Sequence, residues 1–421
     1  MKIAFTTLGC KLNYAETSTY ERGFKAAGWE VVPWTQQADV YLINTCAVTE
    51  TAEKKSRNLI RRAHKTAPEG RIVVTGCYAQ LRKDQLLKIE GVWKVFGAGQ
   101  KQDLVLQVQE GISSGISSRP DEGQSDRSEN VFGAFSSGER TRSFLKVQDG
   151  CDNFCAYCTV PFARGRSRNI PICEVVKMAR EIAAEGIKEV VLTGVNTGDY
   201  GRTTGESFLD LLKALNEVEG IERYRISSIE PNLITPEIID WIASGTKFQR
   251  HFHIPLQSGS DTLLRKVGRR YDTELFASRI DYIRKAMERP GEPLVFFGID
   301  VIVGLPGETE ELFMETYKFL KERIRPAFIH VFPYSRRPGT RAAEWPDQVQ
   351  DSIKTERVAK LEDLCTELHQ AFVSANKGLK ETVLWESSVK DGIMGGYTGN
   401  YIRVERPFDP DRVNCLEEVV L

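Results

Sequence analysis

Residues 143–158 read SFLKVQDGCDNFCAYC, an apolar strand running into a loop that carries Cys151, Cys155 and Cys158. The C-x3-C-x2-C spacing puts three thiolates in one short loop, enough to hold three irons of a 4Fe-4S cube and leave the fourth iron without a protein ligand. An open iron can bind a substrate. A zinc loop borrowing a distant fourth ligand, or unrelated thiols, would account for the cysteines but not for the repeats that follow. Downstream, EVVLTGV, RYRISSI, HFHIPLQ, VFFGIDVIVGLP and AFIHVFPYS read as strands, separated by helical patterns at 173–185, 207–217, 236–243, 275–288 and 309–321. About six such units predict a curved parallel sheet, a partial (β/α) barrel, with its chemistry at the carboxyl ends of the strands.

The same alternation appears upstream, with strands at 2–8, 40–44 and 71–75 and helices at 14–27, 50–66 and 82–89. It predicts an α/β domain over residues 1–108 built on a Rossmann-like parallel sheet. Three of its strands end on a thiol: KIAFTTLGC at Cys10, VYLINTC at Cys46 and RIVVTGC at Cys77. One such cysteine is ordinarily a small buried residue. Three at equivalent positions, on the sheet edge where ligands bind, suggest a three-thiolate metal site, although their spacing matches no zinc-finger or ferredoxin motif. Residues 109–142, rich in Gly, Ser and charge, read as a linker or mobile excursion before the second domain at 143–376. Cys173, Cys365 and Cys415 belong to neither set and read as structural.

Composition narrows the setting. A chain of 421 residues suggests two or three domains. It has no run of 18 or more uncharged apolar residues, and its first residues enter a strand without the long apolar stretch of a signal peptide, so no membrane partner is expected and a cytoplasmic location is. Nine cysteines in a reducing compartment point to thiols and metal or cluster ligands, not to disulfides. The formal net charge of −1 means that any nucleic-acid partner must be held by local basic patches.

The loop resembles the signature of radical S-adenosylmethionine (SAM) enzymes, and with the N-terminal cysteines the chain resembles the methylthiotransferases of that superfamily. TLGCKLN, NTCAVT, TGCYAQ, CTVPFARGRSR, LTGVNTGDYG, HIPLQSGSD, GIDVIVGLPGE and FPYSRRPGT carry the likeness across nearly the whole chain. The resemblance implies two 4Fe-4S clusters, one on Cys151, Cys155 and Cys158 and one on Cys10, Cys46 and Cys77, together with SAM. The open iron of the first chelates SAM, whose reductive cleavage gives a 5′-deoxyadenosyl radical; the second cluster would carry the sulfur. It also implies a tRNA anticodon stem-loop as partner, a reducing electron donor and a sulfur donor.

Within the family, TLGCKLN and QDGCDNFCAYCTVPFARGRSR look most like the branch that acts on N6-threonylcarbamoyladenosine. The isopentenyladenosine branch tends to have GCQMN, and the ribosomal-protein branch tends to follow the cysteine loop with Ile-Pro. A non-catalytic iron-sulfur RNA-binding protein or redox sensor would explain the thiols but leave the open-iron loop without purpose.

By the same resemblance Tyr157 would lie against the adenine, and Asn196, Ser228, Glu230, Gln257, Ser258 and Asp300 would line the SAM pocket. Gly194 and Gly304 would permit close backbone approach; each of these residues also fits a loop-capping or turn role. His251 and His253 read as packing or hydrogen-bonding residues. Phosphate contacts are expected from Lys54, Arg57, Arg61 and Lys65 on one helix face, from Arg164, Arg166 and Arg168, and from Arg336, Arg337 and Arg341, with solvated surface as the alternative. Residues 377–421 read as a small, reduced TRAM-like β module. From 381 onward it holds four Lys or Arg against eight Asp or Glu, so its charge opposes phosphate binding. Trp385, Tyr397 and Tyr401 read as core aromatics in preference to base-stacking residues.

Overall fold

A computed structural model describes residues 1–114, 131–138 and 141–421. The chain is a mixed α/β protein with parallel sheets. The first part runs β1 (Lys2–Thr7), α1 (Lys11–Ala26), β2 (Glu30–Val31), β3 (Val40–Thr45), α2 (Glu50–Thr66), β4 (Arg71–Gly76), α3 (Cys77–Leu81), α4 (Lys83–Leu87), β5 (Val92–Val95) and α5 (Leu104–Ser113). Its five strands are all parallel, in the order β2-β1-β3-β4-β5. Every residue of β3 is buried, as a central parallel strand covered on both faces requires. Val40 and Leu42 face a core built with Tyr20 and Phe24 of α1, while Tyr41 and Ile43 face one built with Ile60 and Ala63 of α2. That side-to-side alternation is the period-two geometry of a strand.

The second part contains β6 (Arg142–Lys146), β7 (Gln148–Asp149), α6 (Val160–Arg164), β8 (Arg168–Asn169), α7 (Ile172–Ala184), β9 (Glu189–Thr193), α8 (Phe208–Asn216), β10 (Arg223–Ile226) and α9 (Pro236–Ala243). It continues through β11 (His251–Gln257), α10 (Asp261–Val267), α11 (Thr273–Met287), β12 (Phe296–Val303), α12 (Glu310–Lys318), β13 (Phe328–Pro333), α13 (Arg341–Glu344) and α14 (Asp351–Ala375). Two parallel sheets form, β10-β9-β6 and β11-β12-β13, joined by a parallel bridge between Tyr224 and Phe248. One hydrophobic core runs behind both. The chain ends in an antiparallel sheet of β14 (Lys380–Lys390), β15 (Ile393–Thr398), β16 (Arg403–Pro407) and β17 (Leu416–Val420), ordered β16-β15-β14-β17.

The segment expected as a linker over 109–142 is structured at its edges. Helix α5 continues to Ser113, and residues 131–138 lie along α1 and β6. Phe132 stacks on Tyr20 at 5.3 Å and the guanidinium of Arg22 sits 3.7 Å above the ring of Phe135. Two phenylalanines therefore anchor a stretch whose average composition reads as polar. The rest of that expectation, residues 115–130 and 139–140, lies outside the described residues.

Candidate functional site

Cys10, Cys46 and Cys77 immediately follow β1, β3 and β4, three neighbouring strands, at the same edge of the sheet. Two glycines permit the approach. Gly9 has φ +101°, and a Cβ there would lie 3.0 Å from the Cys46 sulfur. Gly76 has φ +97°, and a Cβ there would lie 2.3 Å from the Thr45 carbonyl oxygen. The Asn13 amide ties the loops together by donating to the carbonyls of Leu8 at 2.8 Å and Thr45 at 3.0 Å. Burial pushes the Cys46 thiol up to about 11, with the nearby Cys77 adding to the shift. Cys77 is likewise pushed up by burial. Such thiols stay protonated unless a cation takes the place of the proton.

Beside this triad lies a buried charge network. Glu16 accepts hydrogen bonds from Lys101 and Lys146, each at 2.8 Å. Asp149 pairs with Lys146 at 2.7 Å and with Arg164 at 2.9 Å. Three cations face two carboxylates, with Arg164 pairing Glu16 at 3.3 Å as well as Asp149. A buried positive excess suits a set of thiolates. Arg164, expected as a phosphate contact, is thus a buried structural cation, 3% exposed.

In the second cysteine set, every sulfur accepts an N–H. The backbone of Asn153 donates to Cys151 at 3.5 Å, that of Val160 to Cys158 at 3.4 Å, and the Arg269 guanidinium to Cys155 at 3.3 Å. Burial drives Cys151 up to about 11 and Cys158 up to about 12. Donors aimed at all three sulfurs fit a thiolate-held cluster, whose potential such bonds tune. A cavity of about 290 Å³ opens over the loop, and Tyr157, Asn196, Ser228, Glu230, Gln257 and Asp300 line it. Gln257 adopts φ +68°, a conformation that costs energy in a non-glycine residue and is concentrated at functional sites. Glu230 accepts from Asn153 at 2.6 Å and pairs with Arg269 at 2.8 Å.

Three expected pocket residues lie elsewhere. Ser258 is buried and bonds Thr316. Gly194 abuts the Gln148 side chain, 2.9 Å from where its Cβ would stand. Gly304 makes a turn at φ +74°, and its missing Cβ leaves room for Lys354 of α14. Strand-end position brought all three to notice, but helices and neighbouring side chains claim them.

A larger cleft of about 960 Å³ adjoins Cys10 and is lined by Lys11, Arg142, Arg225, His253, Tyr397 and Tyr401 among others. The two cavities share a wall. Asp300 lines the smaller one and bonds His253, which lines the larger, at 2.6 Å. Val48 and Thr49, just past Cys46, also line the smaller cavity, so the segment that leaves the first cysteine set reaches it. Trp385 is core, as expected, its indole N–H donating to Glu417. Tyr397 and Tyr401 correct the core reading: they stack on each other at 4.8 Å and face the cleft. His251 stacks on Phe296 and also lines the cleft.

Of the basic candidates, Lys54, Arg61, Lys65, Arg166, Arg336 and Arg341 are exposed. Arg57 is half-buried and donates to the Tyr78 hydroxyl at 3.0 Å, and Arg168 donates to the Arg164 carbonyl at 2.8 Å. Arg337 is buried and ion-paired with Glu53 of α2, so it is held inside the protein instead of facing solvent. Cys365 accepts the Ile329 N–H in the core, whereas Cys173 and Cys415 are exposed. The residues that sequence reasoning missed are Lys11, Arg142, Arg225 and Arg269. Arg223 and Arg225 alternating within the otherwise buried strand RYRI were the available signal; Arg269 had none.

Family models match the chain in two places: the Uncharacterized protein family UPF0004 over residues 2–97 and the Radical SAM superfamily over residues 145–320. The chain is 42% identical to the threonylcarbamoyladenosine tRNA methylthiotransferase MtaB of Bacillus subtilis, across 99% of this chain and 93% of that one. It is 38% identical to the protein of the same name from Aquifex aeolicus, covering 96% and 97%. The tRNA-2-methylthio-N(6)-dimethylallyladenosine synthase of Geobacter metallireducens is 32% identical, covering 94% and 90%. Among solved structures, the radical S-adenosylmethionine methyltransferase TsrM of Kitasatospora setae shares the fold, with a TM-score of 0.59 over 81% of this chain and 75% of that one at 14% identity. A radical-SAM domain implies a 4Fe-4S cluster and SAM, which the Cys151–Cys158 loop and its cavity fit. Joined to a strand-end cysteine triad and matched end to end by these relatives, it shows that the chain belongs to the radical-SAM methylthiotransferase family.

Proposed function

We propose that this chain converts N6-threonylcarbamoyladenosine, next to the anticodon of tRNA, to its 2-methylthio derivative. The observation that carries the reading is the shared wall: two three-cysteine sites border adjoining cavities, divided by the Asp300–His253 pair. In this reading Cys151, Cys155 and Cys158 hold the SAM-binding cluster, and Cys10, Cys46 and Cys77 hold a second 4Fe-4S cluster that receives sulfur from a donor. With SAM bound, the chemistry supplied is reductive cleavage of the sulfonium, removal of hydrogen from adenine C2 and provision of the methyl group.

The chain's own residues bind and orient. Tyr157, Asn196 and Gln257 surround SAM, Arg269 holds Cys155 and Glu230 in place, and Tyr397 and Tyr401 offer a stacking face to the base. Lys54, Arg57, Arg61, Lys65, Arg166, Arg168, Arg336 and Arg341 contact RNA phosphates.

The two three-stranded sheets act as one partial barrel, supported by the Tyr224–Phe248 bridge and by the Ile229 N–H donating to the His253 carbonyl at 3.1 Å. The N-terminal sheet, of Rossmann type, forms a cluster domain over 1–108, the barrel spans 143–376 and the sheet at 377–421 is a reduced TRAM-like module in a cytoplasmic enzyme. Support for that module's docking comes from Arg223 and Arg225, which donate to the carbonyls of Tyr397, Thr398 and Gly399. Anaerobic reconstitution with iron, sulfide, SAM, a low-potential electron donor and a modified anticodon stem-loop tests the reading. The expected result is 5′-deoxyadenosine with methylthiolated RNA; 5′-deoxyadenosine without modified RNA overturns the substrate.

A further inference from the structure

Lys11 stands at the start of α1, directly after Cys10, and opens on the 960 Å³ cleft. Its position is costly, because the N-terminus of a helix already carries partial positive charge, and the first turn of α1 holds no acidic residue to offset it. The other Lys and Arg side chains that line the cleft each have an ion-pair partner, although Arg142 and Arg225 share Glu189. Arg142 pairs with Glu386 at 2.6 Å and donates to the Tyr401 hydroxyl at 3.0 Å. Arg225 pairs with Glu189 at 2.9 Å and spends its remaining N–H groups on backbone carbonyls. Arg403 pairs with Glu405 at 2.9 Å. Asp300, at the wall of the cleft, is taken up by His253 at 2.6 Å. Lys11 itself has no ion pair and no side-chain hydrogen bond among the described residues. Among the described residues, Lys11 is therefore the one Lys or Arg lining the cleft that has no ion-pair partner.

Resting on the proposed reaction, the chemistry of the substrate supplies the anion. Adenine C2 and N6 lie on the same edge of the ring with N1 between them. A base presented with C2 toward Cys10 carries its N6 substituent past the residue beside Cys10. The relatives divide by name between a threonylcarbamoyl substituent, which bears a carboxylate, and a dimethylallyl one, which is a hydrocarbon. We infer that Lys11 binds the carboxylate of the N6 substituent and so makes this enzyme select a carboxylate-bearing adenosine over one with an uncharged substituent. Backbone phosphate is the other possible source of an anionic oxygen, and it is present in every RNA regardless of the N6 group.

The test compares three anticodon stem-loops of one sequence, carrying N6-threonylcarbamoyladenosine, its carboxyl methyl ester, or N6-isopentenyladenosine. Binding to the reconstituted protein is measured by fluorescence anisotropy, and methylthiolation by mass spectrometry. Wild type is expected to bind the acid about tenfold or more tightly than the ester, as a charge-assisted hydrogen bond implies. Lys11→Gln should bring that ratio near one, and Lys11→Arg should restore it. A Lys11→Gln protein that keeps the wild-type ratio, or one that loses acid and ester affinity equally, overturns the inference; equal loss assigns Lys11 to phosphate. If wild type methylthiolates none of the RNAs, the proposed reaction fails, while the acid-to-ester binding ratio still decides the role of Lys11.

Discussion

Substituting Glu16 by Gln probes what locks the two domains together. Glu16 is fully buried on α1 and accepts from Lys101 through both oxygens at 2.8 Å, from Lys146 at 2.8 Å and from Arg164 at 3.3 Å. Lys146 and Arg164 belong to the radical-SAM domain, on β6 and α6, whereas α1 begins at the Cys10 site. Glutamine keeps the volume but leaves Asp149 alone against three buried cations. Removing one member of a buried pair costs about 3–5 kcal/mol, because the remaining charge is desolvated without compensation. Lys101 is the cation most dependent on Glu16, so in a Lys101→Met background the same substitution should cost about 1–3 kcal/mol less.

Urea unfolding followed by circular dichroism gives the four corners of that cycle, and amide hydrogen exchange in α1 and β6 reports local opening of the interface. The surrounding cations hold the carboxyls of Glu16 and Asp149 well below the usual range. Their contribution is therefore complete above the unfolded carboxylate pKa of about 4 and is lost only as pH falls through the depressed values, so neutral pH is the place to measure it. A cost below about 1 kcal/mol, or the same cost in both backgrounds, would refute the reasoning.

The remaining predictions concern the cysteine sites. Cys155→Ala should abolish SAM cleavage, whereas Cys46→Ala should spare cleavage and block thiolation; chromatographic assay of 5′-deoxyadenosine and of modified RNA separates them, and cleavage lost equally in both sinks the division of labour. Gly76→Ala drives a methyl group into the Thr45 carbonyl at 2.3 Å, in a conformation that L residues avoid, and should cost about 3 kcal/mol or more while removing about four irons per chain. Iron analysis and urea unfolding check it; a variant with full iron content would show that the backbone at Cys77 yields easily.

The grouping of each cysteine set was legible because it is written in local spacing and in strand endings, and strand endings are readable wherever a parallel sheet is. The strands expected to end at residues 44 and 75 end at Thr45 and Gly76. Side-chain partners across domains were not legible. Arg164 and Arg337 sit in basic stretches that read as surface, yet each is drawn inward by a carboxylate far along the chain, Glu16 and Glu53 respectively. Tyr397 and Tyr401 read as core because a small sheet needs aromatics, and only the docking of that sheet on β6 and β10 turns them toward the cleft. Lys11 was visible as a residue within TLGCKLN but had no meaning until the ion pairs of the other described Lys and Arg side chains of the cleft were in place.

The most direct test is mass spectrometry of tRNA nucleosides from cells lacking this chain and from the same cells with it restored. The account predicts that 2-methylthio-N6-threonylcarbamoyladenosine disappears and returns with the chain, while the 2-methylthio isopentenyl nucleoside stays constant. Loss of the isopentenyl product, or no change in either nucleoside, would contradict it.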